Sequence, residues 1–146
     1  MTERAWAYNW IARPIVRLLM PLLARLRVEG VANVPTSGAV ILAPNHLNLM
    51  DIPAISVRVP RVSHYMAKDE LFQVPLVGGI IRFFGAFPVR RGESDREALR
   101  QAGEVLAAGQ MLVIFPEGHR SDDAALGPGL PGVALIALRA GAPIVP

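Results

Sequence analysis

The sequence predicts an α/β fold: a layered domain with a largely parallel or mixed sheet flanked by helices, preceded by an N-terminal amphipathic helical segment. Three observations point there. Short apolar runs of strand length, such as Ala39–Ala43 (AVILA) and Met111–Phe115 (MLVIF), alternate with longer segments of helical period. Several of these runs end in a polar loop, the place where open α/β sheets bind ligands. At 146 residues the chain has room for one sizeable core rather than two.

Residues 3–28 read as helical. Trp6, Tyr8 and Trp10 open the segment, and Ile11, Ile15, Val16, Leu18, Leu19, Leu22, Leu23 and Leu26 follow, punctuated by Arg4, Arg13, Arg17, Arg25 and Arg27. Aromatic rings favour the headgroup level and arginines reach anionic lipid, so residues 1–28 are expected to form an interfacial anchor. The competing reading is a helix packed on the domain's own core and kinked at Pro14 and Pro21. Residues 29–146 form the main domain, which is expected to be truncated at its C-terminus because the last strand pattern has only begun at Pro146.

After a turn at 34–38, AVILA is a buried strand. Ile52–Val59 is a short helix opened by Asp51, with Pro53 tolerable in the first turn. Val62–Ala67 is a second strand, and Glu70–Phe84 an apolar helix weakened by Pro75 and Gly78–Gly79. Ala86–Arg90 is the third strand. Asp95–Ala108 is the clearest helix, with Ser94 as its cap and Gly109 as its stop. Met111–Phe115 is the fourth strand, Val133–Ala140 a helix, and Ala142–Val145 a fifth strand.

Composition narrows the class of function. The chain is 52% hydrophobic, and its mean hydropathy of +0.37 favours a membrane surface or a lipid ligand. Its best apolar stretches, 14–24 and 71–89, are interrupted by Arg17, Pro21 and Arg82, short of the roughly 20 apolar residues of a spanning helix. Lys68 is the only lysine among 15 basic residues, and the net charge is +3. Arginine's planar fork suits phosphate. No basic stripe with interleaved aromatics points to nucleic acid. With no cysteine there is no disulfide, thiolate metal site or thiol nucleophile. The string Lys68-Asp69-Glu70-Leu71 spells a retention signal, but such a signal is read only at a C-terminus.

Three polar clusters each follow a predicted strand. Asn45-His46-Leu47-Asn48-Leu49-Met50-Asp51 pairs a histidine, able to act as a base near neutral pH, with a carboxylate able to fix its tautomer. On one straight helix residues five apart point about 140° away from each other. The pair can meet only if His46 lies in the loop and Asp51 at the helix start. Taken alone, the bland alternative is an N-capping aspartate beside a surface histidine. Gly85-Ala86-Phe87-Pro88-Val89-Arg90-Arg91 delivers two arginines at a strand end. Strand alternation lets only one of them enter a site, and a solvated terminus is the alternative. Phe115-Pro116-Glu117-Gly118-His119-Arg120-Ser121 offers a carboxylate, a permissive glycine and an arginine, or else an ordinary polar turn. If the strands are parallel, all three clusters meet at one sheet edge.

Asn-His-x-x-x-x-Asp, then Gly-x-x-Phe-x-x-Arg, then Phe-Pro-Glu-Gly-x-Arg-Ser, in this order, resemble the first three motif blocks of the glycerophospholipid acyltransferases, most of all the bacterial 1-acyl-sn-glycerol-3-phosphate acyltransferases. Ala142-Pro143-Ile144-Val145-Pro146 resembles the opening of the fourth. The resemblance runs from about Val28 to the end. It implies His46 as general base and Asp51 as its orienting partner, with Arg90, Glu117, Gly118 and Arg120 binding the acceptor. It also implies direct acyl transfer from a thioester of coenzyme A or acyl carrier protein to the free hydroxyl of 1-acyl-sn-glycerol 3-phosphate, giving phosphatidic acid. No metal and no cofactor beyond that donor is called for. The expected partners are a lipid surface, the lysophospholipid acceptor and, as one of the two donors, acyl carrier protein. The expected location is the cytoplasmic face of the inner membrane. Two departures, His119 where threonine is usual and Gly129-Leu130-Pro131-Gly132 in place of a lysine-bearing stretch, bear on the acceptor rather than the chemistry. The alternatives are a different acceptor (glycerol 3-phosphate, another lysophospholipid or a glycolipid), a non-catalytic lipid-binding remnant, and a His/Asp hydrolase of lipid thioesters or esters.

Two patterns are set aside. Gly127–Gly132 satisfies Gly-x-Gly-x-x-Gly but follows no strand and holds two prolines, so it is a loop. His119 with Asp122 and Asp123 matches no metal-site spacing. The apolar stretch 71–84 is expected either to line an acyl-chain groove or to pack in the core.

Overall fold

Two apolar tripeptides, Val-Ile-Leu and Met-Leu-Val, lie fully buried side by side at the centre of the sheet. A strand with apolar residues at every position has to be covered on both faces, as in the parallel sheets of α/β domains. The computed structural model describes residues 8–23, 25–90 and 95–146 and meets that requirement. Its strands are β1 (Val40–Leu42), β2 (Ser63–Lys68), β3 (Ala86–Val89), β4 (Met111–Val113) and β5 (Ile144–Val145). They form one parallel sheet in the order β3-β2-β4-β1-β5, with Ile41 opposite Leu112 and Tyr65 opposite Val113.

Alternation along the strands divides the core in two. Ile41, Leu112 and Ile114 face helices α4 (Arg96–Ala107) and α5 (Gly132–Ala140), meeting Ala102, Leu106, Ile136 and Ala137. Val40, Leu42, Met111 and Val113 face the opposite side, where Ile52 and Ile55 of α2 (Asp51–Arg58) pack with Tyr65 and Val59. Each fully buried aliphatic side chain of this kind contributes about 1.5–3 kcal/mol.

Outside α2 lies the N-terminal segment: a wide π turn over Tyr8–Ala12 leading into α1 (Arg13–Leu23). Tyr8, Ala12 and Met20 point inward, and Tyr8 meets Phe84 edge-on at 6.1 Å. Beneath it the Ser56 hydroxyl bonds Tyr65 Oη at 2.9 Å and the Ile52 carbonyl at 2.8 Å. Burial pushes the Tyr65 phenol well above its ordinary range. The described helix is shorter than the expected span 3–28. Residues 25–30 are irregular, and residues 1–7, with Trp6, fall outside the described region.

Two other expectations are corrected. Glu70–Phe84 is not one helix but a 3₁₀ turn (Asp69–Phe72) followed by α3 (Val77–Phe83). Pro75 disfavours helical backbone at the residue before it, and Leu76 takes a positive φ of 66°. Gly78 then tucks against Phe72, where a Cβ would collide with the Phe72 carbonyl oxygen. The cap of α4 is Asp95 rather than Ser94, which lies outside the described residues. The Asp95 carboxylate accepts the Glu97 and Ala98 N–H groups at 3.1 Å each and the Arg90 N–H at 2.9 Å. These backbone donors, Arg90 first, hold its carboxyl below the usual carboxylate range.

Candidate active site

Helix α2 begins at Asp51, yet the Asp51 carboxylate does not cap the helix. It turns back into the preceding loop, where one oxygen, Oδ2, accepts three hydrogen bonds. They come from His46 Nδ1 at 2.8 Å, Leu47 N–H at 2.8 Å and Asn48 N–H at 2.9 Å. The loop tightens further where the Asn48 side chain accepts the Met50 N–H at 2.6 Å. The bland reading of this pair therefore fails on geometry. Because a carboxylate only accepts, His46 Nδ1 is the donor in this contact, and in the neutral imidazole Nε2 is then the ring's acceptor. Among the described residues Nε2 has no hydrogen-bond partner.

The third cluster grips the same residue. It leaves β4, the immediate neighbour of β1, so the two loops emerge side by side at the carboxyl edge of the sheet. Glu117 Oε2 accepts the His46 N–H at 2.7 Å, and the Ser121 N–H donates to the His46 carbonyl at 2.7 Å. The Phe115 ring stacks on the imidazole, centroids 3.9 Å apart and planes 18° from parallel. His46 is thus fixed at its ring, its amide and its carbonyl, and stays only 9% exposed.

Glu117 is itself 3% exposed, and its second oxygen accepts the Gly127 N–H at 3.0 Å. The Gly127 and His46 N–H groups, in that order, hold its carboxyl below the usual carboxylate range. Gly118 carries a φ of 72°, a left-handed turn closed by its N–H to the Phe115 carbonyl at 3.1 Å. A Cβ there would lie 2.7 Å from Leu130 Cδ1, which an exposed leucine can relieve by moving, so it is the left-handed backbone that calls for glycine. The Gly127–Gly132 loop folds over this turn, since the Leu130 N–H also bonds the Pro116 carbonyl at 2.8 Å.

Arg90 and Arg120 stand apart from this knot. Arg120 is exposed. Arg90 leaves β3 at the same carboxyl edge but three strand positions from β1, about 14 Å at the usual strand spacing. Its side chain is 63% exposed, with Nε 3.6 Å from Asp95. Arg91 falls outside the described residues. Sequence reasoning did not foresee the stacking of Phe115, the Ser121 clamp or the part of Gly127. The only signal was that Phe115, Ser121 and Gly127 lie in or close behind the third cluster.

Residues 25–146 match the family model described as Acyltransferase, the larger part of the chain and all of the geometry above. The chain belongs to the acyltransferase family. Among relatives of this acyltransferase, the 1-acyl-sn-glycerol-3-phosphate acyltransferase of Bacillus subtilis is 30% identical over 95% of the chain and 69% of its own length. The chloroplastic 1-acyl-sn-glycerol-3-phosphate acyltransferase BAT2 of Brassica napus is 30% identical over 82% of the chain, but only 35% of its own length is covered. The crystal structure of the 1-acyl-sn-glycerophosphate (LPA) acyltransferase PlsC from Thermotoga maritima superposes with a TM-score of 0.79 at 33% identity. That match takes in all of this chain and 60% of that one.

Proposed function

We propose that this acyltransferase moves an acyl group from an acyl thioester, of coenzyme A or acyl carrier protein, to the free hydroxyl of 1-acyl-sn-glycerol 3-phosphate, forming phosphatidic acid. The observation that carries the reading is the His46–Asp51 contact at 2.8 Å, which leaves Nε2 as an unpartnered base in a held ring. In the proposed reaction Nε2 takes the hydroxyl proton as the oxygen attacks the thioester carbonyl carbon. The C–S bond then breaks, and the departing sulfur takes the proton back from Nε2. Asp51 stabilises the imidazolium that exists between these steps. The names of the Bacillus and Thermotoga relatives support the acceptor.

In this reading Arg90 and Arg120, exposed at the same edge, bind the acceptor phosphate bidentately. Glu117 and Gly118 shape the acceptor pocket from beneath by holding the His46 loop. Leu47 and Leu49 beside His46 are exposed, as are Leu76, Ile80 and Val74 of the 71–84 stretch. We place the donor or acceptor chain along these apolar side chains.

We also place the protein at a membrane surface. No described helix is long and apolar enough to cross a membrane. On α1 and the turn before it, however, Trp10, Ile11, Ile15, Leu18, Leu19 and Leu22 form an exposed apolar row, with Leu18 at 75% and Leu22 at 80%. Such a row suits the interfacial plane.

The test is acyl transfer to lysophosphatidic acid in detergent micelles, with the unmutated chain beside His46→Ala. Transfer that falls by about 10²–10⁴-fold in the variant is expected of a lost general base. Transfer unchanged by the substitution removes His46 as the base. Turnover only with glycerol 3-phosphate or another lysophospholipid moves the acceptor, and fatty acid released without any acceptor makes the protein a hydrolase.

A further inference from the structure

At the other end of α2 from Asp51 lies a cavity of about 370 Å³ walled by four arginines: Arg17 of α1, Arg25 and Arg27 of the segment that follows, and Arg58 at the end of α2. Helix α2 advances about 1.5 Å per residue, which puts Arg58 on the order of 10 Å from Asp51. Arg61, just beyond it, marks which edge this is. Its guanidinium bonds the carbonyls of Pro35, Gly38 and Gly109, in the turns that lead into β1 and β4. The cavity therefore sits at the amino edge of the sheet, and the acyl-transfer site at the carboxyl edge.

Among the described residues, three of the four charges in this cavity lack an ion-pair partner. Arg27 pairs with Glu29 at 2.7 Å. Among the described residues no carboxylate lies within ion-pair distance of Arg17, Arg25 or Arg58. The negative end of the α2 dipole accounts for Arg58 alone. Three like charges around one cavity repel one another and are held together usefully only by an anion, for which the guanidinium fork is shaped. The floor is apolar, made of buried Met20 and Val57 with Pro21 and Leu26. Arg17 and Pro21 are also sequence neighbours of Leu18 and Leu22, whose side chains face outward. A free phosphate ion would use the arginines and leave the floor and the outward leucines idle. An amphiphile with a phosphate head would use all of them.

We infer that the cavity between α1, residues 25–27 and the end of α2 is a second lipid site, holding the phosphate of an anionic glycerophospholipid that is not the reacting molecule. It anchors the protein in one orientation, because a phosphate held there fixes α1 and α2 together against the surface. The inference does not depend on which acceptor is acylated at His46.

The experiment is flotation of the full chain with phosphatidylcholine vesicles, with and without phosphatidylglycerol. Four proteins are compared: the unmutated chain, Arg17→Gln/Arg58→Gln, Arg17→Lys/Arg58→Lys, and the charge-matched control Arg96→Gln/Arg139→Gln on exposed helix positions elsewhere. The glutamine pair at the cavity is expected to weaken binding to phosphatidylglycerol vesicles about tenfold or more. The control pair should weaken it about twofold at most, by screened general attraction. The lysine pair, which keeps the charge and loses the fork, should fall between, and it carries the test if the glutamine pair melts early. Acyl transfer in micelles should be unchanged in all three variants, so a failure of this site shows separately from a failure at His46. Equal losses in the cavity and control pairs, or lysine variants that bind like the unmutated chain, overturn the inference in favour of diffuse attraction. Displacement from vesicles by inorganic phosphate, beyond that by sodium chloride of equal ionic strength, overturns the lipid assignment and leaves a free-anion site.

Discussion

The protein itself occupies nearly every handle of His46: its amide goes to Glu117, its carbonyl to Ser121, its Nδ1 to Asp51, and its ring face to Phe115. On α1, about 30 residues earlier, Leu18 and Leu22 of the outward apolar row are 75% and 80% exposed, and among the described residues no carboxylate lies within ion-pair distance of Arg17. In the proposed function the first region holds a base, whose displacement by about 1 Å can cost a hundredfold in rate. The second, in the proposed function, faces a lipid surface. On that reading, internal satisfaction goes with the positioning of the base and exposed apolar surface with the meeting of lipid.

The comparison is broken most severely at Asp51. Asp51→Ala removes the acceptor for His46 Nδ1 and for two loop amides at once, and transfer is expected to drop by about 10²–10⁴-fold. Saturation kinetics on lysophosphatidic acid should show the loss chiefly in kcat. Glu117→Gln tests whether an exterior clamp matters nearly as much. An amide has one oxygen for two N–H groups, so its own NH₂ must face either His46 or Gly127. We expect about a hundredfold loss, with a KM shift smaller than the kcat shift if Glu117 acts through His46 rather than on the substrate.

On the open region, Leu18→Gln/Leu22→Gln should reduce partition onto phosphatidylcholine vesicles by about tenfold while leaving transfer in micelles intact, measured by flotation and assay on one preparation. The smallest effect is expected away from both regions. Asp95→Ala removes the α4 cap and should lower the melting temperature by a few degrees. The sign with pH follows from the depressed carboxyl of Asp95. Its contribution is present above the ordinary aspartate value near 3.8 and is lost as pH falls through the lower folded value. The melting difference between Asp95→Ala and the unmutated chain should therefore be full at neutral pH and shrink below about pH 4.

How legible these regions were in the sequence follows from the distance over which each is decided. The β1 and β4 tripeptides, the α4 helix and the stop at Gly109 are written in local patterns, and all appear close to where the patterns put them. His46 meeting Asp51 follows from helix geometry across five residues. The single helix expected over 70–84 failed because apolar composition outweighed a breaker that acts one residue at a time, at Pro75 and Leu76. Ser94 and Asp95 are both good cap residues by type, and it is Asp95 that accepts the Glu97 and Ala98 N–H groups, with the Arg90 N–H bound to it as well. The clamp on His46 was beyond local reading. It joins residues 71 apart in the chain and depends on β1 and β4 being neighbours, which no pattern within either strand states.

That separation sets an order of events during synthesis. A ribosome delivers His46 and Asp51 together, but the carboxylate that fastens the His46 amide emerges 71 residues later, and the Gly127 loop that fastens the carboxylate later still. Closing so long a loop is slow compared with forming the His46–Asp51 turn. In the proposed function a nascent chain therefore carries its base before the residues that hold it have been made. That base is fully held only once β4 lies beside β1, after most of the chain has been made.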